Sequence, residues 1–90
     1  MSVTRKRVLV HGSVQGVFFR DSARRTASAR GVAGWMVNRP DGSVEAVFEG
    51  DPDAVAAMLA FCREGPRGAA VERLDVWDEE AEGLTGFEVR

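Results

Sequence analysis

Arg20 closes the stretch Gly12-Ser13-Val14-Gln15-Gly16-Val17-Phe18-Phe19-Arg20. Its planar fork of donors suits two oxygens of one phosphate. The glycines at 12 and 16 bracket a loop between a strand-like run, Val8-Leu9-Val10-His11, and an Ala- and Arg-rich run of good helix propensity, Asp21 to Arg30. In such a setting the loop amides converge on an anion, and the helix N-terminus adds free N–H groups and partial positive charge. The amides of Gln15, Gly16, Val17, Phe18 and Phe19 are the candidates to chelate phosphate oxygens. They cannot neutralise a dianion, whereas a guanidinium at the lip can. The same residues also read as a plain turn, with Val14 and Val17 in the core and Arg20 in solvent. The stretch alone leaves both readings open. It lacks the Gly-Lys-Ser/Thr ending of a Walker loop and the glycine spacing of a dinucleotide loop.

A second group follows at Gly34-Trp35, Asn38, Gly42, Val44 and Gly50. With Gly12-x-Val14-Gln15-Gly16-Val17-x-Phe19-Arg20 it resembles the two signatures of the acylphosphatases, at that family's separation. The motifs span residues 12–50, and the rest of the chain has the family's length and layout. The resemblance implies hydrolysis of a carboxylic–phosphoric mixed anhydride by direct attack of water, with no phosphoenzyme. It also implies an arginine on the phosphate and an asparagine positioning water; by position these are Arg20 and Asn38. Read by itself, Asn38 is a fair turn residue, because Asn is a poor strand former and Pro40-Asp41-Gly42 follows. An amide nonetheless suits the role, since it accepts from water and donates to a nearby oxygen. The chain departs from the family at Met36, Val37 and Arg39. A cation missing at Val37 would weaken phosphate binding, and Arg39 could compensate.

The rest of the inventory narrows the chemistry. No nucleophile–base pair and no paired carboxylates stand near the loop. An acyl phosphate expels a carboxylate whose conjugate acid has a pKa of roughly 4, so no general acid is needed. His11 is expected on the helix-free face of the first strand, and Cys62 as a small buried hydrophobe. Trp35 is expected to pack beneath the second motif. One His and one Cys, far apart, make no metal site, and no metal or cofactor is expected.

Ninety residues support one small domain, taken as residues 1–90, with one core. No apolar run has the length of a membrane span, and no signal-peptide pattern follows Met1. The single Cys cannot form an internal disulfide; a cytoplasmic monomer is the expectation. Residues 1–39 hold eight Lys/Arg against one acid, a net of +7, while residues 40–90 carry a net of −9. Positive charge is thus concentrated in the segment with the anion loop, which favours a small anionic substrate. The total of −2 disfavours a general nucleic-acid binder.

Positioning these residues takes a β-α-β-β-α-β order plus a short last strand. Strand one covers about Arg5–His11, and helix one about Arg20–Arg30, with Gly31 to stop it. Strand two ends at Asn38, and Ser43–Glu49 alternates cleanly into a hairpin partner. Helix two starts at Asp51-Pro52, an N-cap followed by proline, and ends at Gly65-Pro66. In strand four, about Ala70–Trp77, Leu74 and Val76 are read as falling on opposite faces, so a bulge is expected there. The order is the α+β, ferredoxin-like split βαβ arrangement, an antiparallel sheet with two helices on one face. Such folds also serve as RNA binders, but Glu45 and Glu49 on the outward side of strand three would repel RNA. The competing function is a non-catalytic phosphate- or anion-binding regulatory module on the same fold.

Overall fold

The computed structural model describes residues 2–90. The elements are β1 (Thr4–Ser13), α1 (Phe19–Ala29), β2 (Ala33–Asn38), β3 (Val44–Gly50), α2 (Pro52–Glu64), β4 (Ala70–Glu79) and β5 (Phe87–Val89). The sheet order is β4-β1-β3-β2-β5. Both helices start and stop close to where the sequence places them. Asp51 caps α2 by accepting from the Asp53 amide at 3.1 Å, and Pro52 opens the first turn.

The expected all-antiparallel sheet holds for four strands only. β5 runs parallel to β2, with Gly34 opposite Phe87 and Met36 opposite Val89. The reason lies in the connection after β4. Glu49, near the end of β3, accepts the amides of Glu82 and Leu84 at 2.8 and 2.7 Å. The segment therefore passes along that end of the sheet, and β5 starts beside the start of β2 and must run the same way.

The expectation for Leu74 and Val76 is corrected. They are two residues apart and share a face, opposite Val10 and Val8. The bulge lies further back, where His11 pairs with Arg73 but Gly12 pairs with Val71, leaving Glu72 over. Gly12 is the residue that permits it. Its φ is 130°, and a Cβ there would meet the Ala70 carbonyl oxygen at 2.1 Å.

One face of the sheet carries Val8, Val10, Met36, Val44, Ala46 and Phe48, all fully buried. Ala23 and Ala27 of α1, and Val55, Met58 and Cys62 of α2, close over them. The two alanines let α1 approach the sheet closely. The opposite face, free of helices, is roofed by charge. Arg5 and Glu49 there are 5% and 3% exposed, and Val47 lies fully buried among their neighbours. The charge asymmetry of the sequence resolves into pairing across strands: Arg5, Lys6 and Arg7 of β1 meet Glu45, Glu49, Asp78 and Glu79 of β3 and β4.

Candidate active site

β1 continues through Gly12 and Ser13, so the loop proper is only Val14 to Phe18. Val14 is buried and fastens the loop to the core. Gly16 has φ 74° and Phe18 φ 58°, both left-handed, on either side of Val17. Alternation of this kind turns successive amides inward to form an anion-binding concavity. Phe18 is also the N-cap of α1 but provides no side-chain cap. Among the described residues, nothing accepts from the amides of Gln15, Gly16, Val17, Phe18 or Phe19. Those donors remain free for a ligand.

A pocket of about 290 Å³ opens at this point. Gly16, Phe18, Phe19, Arg20 and Asn38 line it, with Val14 and Asp21 of the first motif region and Val89 of β5. Arg20 and Asn38, eighteen positions apart in sequence, thus face one space. Gln15 and Val17 do not line it. Val17 packs on the core, and the Gln15 side chain turns the other way.

That turn has a purpose that the sequence did not disclose. Gln15 Nε2 donates to the carbonyls of Arg39 and Ser43, at 2.8 and 2.9 Å. One side chain thereby ties the loop to the end of the β2–β3 hairpin and fixes Asn38 relative to the loop amides. The hairpin end is itself closed by Asp41, which accepts from the amide and hydroxyl of Ser43.

Arg20 donates through Nη1 to the main-chain oxygen of Arg90 at 2.6 Å. Its remaining donors take no partner among the described residues. Asn38 shares the helix-side face of β2 with Met36. Its Oδ1 is the one buried side-chain polar atom, among the described residues, without a hydrogen-bond partner. Asp21 places a carboxylate at the pocket, which would oppose an anion. Arg24 and Arg25, one helical turn on, hold it at 2.7 and 2.5 Å and lower its pKa. The i, i+3 and i, i+4 spacing of Asp21, Arg24 and Arg25 is the sequence signal for that neutralisation.

The motif departures fall outside this space. Val37 sits on the helix-free side of β2, and Arg39 is engaged with Glu45 at 2.9 Å on that side. Arg39 therefore does not replace a cation at the pocket. Trp35 also lies on the helix-free face, between the guanidinium groups of Arg90 at 4.7 Å and Arg7 at 5.5 Å from its ring centre. It does not pack beneath Asn38, because residues of opposite parity on a strand point to opposite faces. Cys62 is fully buried, and burial pushes its thiol up to about 12.

The acylphosphatase family model matches residues 6–89. The chain belongs to the acylphosphatase family. A Gloeobacter violaceus acylphosphatase is 54% identical over 88 residues, covering 98% of this chain and 95% of that one. A Rubrobacter xylanophilus acylphosphatase is 56% identical, covering 96% of this chain and 79% of the relative. In three dimensions an acylphosphatase from Coxiella burnetii superposes with a TM-score of 0.93 at 38% identity, over 98% of this chain and 93% of that one. The acylphosphatase fold, with its five-stranded mixed sheet, is therefore the frame that brings the two motifs together. None of the described helices is long and apolar enough to cross a membrane.

Proposed function

We propose that the pocket seats the phosphoryl group of an acyl phosphate, held by Arg20 and the loop amides, while Asn38 aims the attacking water. Membership of the acylphosphatase family makes the reaction hydrolysis of a carboxyl–phosphate bond. The water oxygen bonds to phosphorus as the bond from phosphorus to the acyl oxygen breaks. The departing electron pair leaves on the carboxylate, and the water proton passes to phosphate or solvent. The products are a carboxylate and inorganic phosphate. A carboxylate leaves without protonation, so positioning and charge neutralisation supply the catalysis.

The observation that carries the assignment of Asn38 is its buried, unpartnered Oδ1. An orphaned buried acceptor costs about 1–3 kcal/mol, and on a residue that lines an anion pocket an acceptor suits a water better than the anion itself. Arg20 supports the reading through its free donors and its place on the same pocket.

Asn38→Ala tests it. With acetyl phosphate, kcat should fall on the order of 10²-fold or more, as for loss of one preorganised polar group. KM and the affinity for inorganic phosphate should change little, the pattern of an interaction made only in the transition state. Denaturant unfolding establishes that the variant is folded. If phosphate affinity falls as far as kcat, Asn38 is a binding residue and the water-aiming role is wrong.

A further inference from the structure

Seating the phosphoryl group deep in the pocket leaves the acyl group to be placed, and one residue at the rim carries two costs that a glycine there would avoid. Phe18 is 80% exposed, the most exposed large hydrophobic residue of those described. It is also, among the described residues, the one non-glycine residue with positive φ, at 58°. That conformation strains a phenylalanine, and glycine would take it freely. Neither helix capping nor core packing accounts for the choice, since Phe18 makes no side-chain cap and its ring is in solvent. Strain and exposed apolar surface coincide on a residue that lines the pocket, where backbone strain has a functional meaning.

The pocket accordingly has two kinds of wall. Gly16, Arg20 and Asn38 offer polar groups, while Phe18 and Val89, the latter 38% exposed, offer apolar surface at the solvent edge. An acyl phosphate has the same two ends. We infer that Phe18 is a specificity-determining residue, its ring a platform on which apolar and above all aromatic acyl groups dock once the phosphoryl group is seated. The left-handed backbone at Phe18 fixes where the ring stands, so the platform is set before substrate arrives.

The inference rests on the reading of the pocket as an acyl phosphate site. Turnover of acetyl phosphate by the wild type tests that reading, and a ratio between two substrates tests this one. Benzoyl phosphate offers a ring to Phe18, whereas acetyl phosphate offers one methyl group. In Phe18→Ala, the ratio of kcat/KM for benzoyl over acetyl phosphate should fall about three- to tenfold, the worth of one aromatic pair. The loss should lie mainly in KM for benzoyl phosphate. Any disturbance of the Phe18 amide affects both substrates alike and cancels in the ratio. Phe18→Gly removes the ring together with the strain and should give the same fall, and Phe18→Tyr should restore the ratio. The ring fills no cavity, so both truncations are expected to fold. An unchanged ratio in either folded truncation overturns the inference.

Discussion

Arg5 donates to Glu49 and Glu79 and lies 3.6 Å from Glu82; Arg20 donates to a single main-chain oxygen. Both are arginines of one sheet-and-helix framework. On the helix-free face, Arg5 and Arg7 are engaged by carboxylates, and Arg7 also lies over Trp35. In the pocket, among the described residues, Arg20 keeps most of its fork free, the loop amides are unspent, and Asn38 Oδ1 is orphaned. Charges that have found protein partners hold a fold. Donors and acceptors left over, converging on one space, are what a ligand must complete.

Arg20→Lys is the sharpest way to break this contrast. The charge survives, but a compact ammonium cannot make a planar contact to two phosphate oxygens. Activity on acetyl phosphate should fall on the order of 10³-fold, beyond the effect of Asn38→Ala, because ground-state binding is lost as well. Inorganic phosphate at a hundred times its Kd should stabilise the wild type by about 2.7 kcal/mol, and the variant far less at the same concentration. Equal thermal protection of the two proteins would remove Arg20 from the site.

The saturated face should answer to stability rather than chemistry. Glu49 holds two amides of the β4–β5 connection and one nitrogen of Arg5, the last at 3.4 Å. Glu49→Ala should cost on the order of 1–3 kcal/mol in denaturant unfolding, since it frees two part-buried amides and takes a buried carboxylate partner from Arg5. Burial acts to raise the Glu49 pKa, but the amides of Glu82 and Leu84 and then Arg5 outweigh it, and the net shift is downward. Glu79 is lowered too, by Arg7 first and then Arg5. A carboxylate with a depressed folded-state pKa contributes stability that is fully present above its unfolded value, about 4.3 for Glu. That contribution is lost as pH falls through the lower, folded value. Unfolding midpoints measured from pH 7 downward should therefore drop below about pH 4, and less steeply in Glu49→Gln. A Glu49→Gln profile parallel to the wild type would show that Glu49 contributes through packing alone.

These two regions were not equally legible in the sequence. The pocket's principal residues stand in local patterns: a glycine-bearing loop ahead of a helix, and Asn38 one residue before a turn. Element order followed from periodicity and from the sharp signals at Asp51-Pro52 and Gly65-Pro66. The ionic roof was hidden, because it depends on which strand lies beside which. Arg5 and Glu79 are 74 positions apart, and only the registers of β1 with β3 and β4 bring basic and acidic halves together. The short last strand was legible but its direction was not, since that direction is set by a connection whose anchor, Glu49, looks in sequence like a solvated strand residue. The role of the Gln15 side chain was hidden as well, because nothing local marks one that reaches across to Arg39 and Ser43.

His11 offers the smallest expected effect and the most direct sharpening of the contrast. It is the only histidine, three residues before Val14, and by proximity in sequence it is the obvious general base. Strand parity places it elsewhere. Val10 is buried on the helix side, so His11 points to the opposite face, where Nε2 lies 3.0 Å from Asp75 and 3.3 Å from Arg73. It does not line the pocket. The pair is partly exposed, so His11→Ala should change stability by about 0–1 kcal/mol. Activity on acetyl phosphate should stay within about twofold of the wild type, because a water expelling a carboxylate needs no base of this kind. The same assay with excess chelator should give the same rates, since the groups assigned to the phosphoryl group and the attacking water are amides, a guanidinium and a carboxamide. A hundredfold loss in folded His11→Ala would mean that a group on the helix-free face enters the chemistry, and the separation of the two regions would fail.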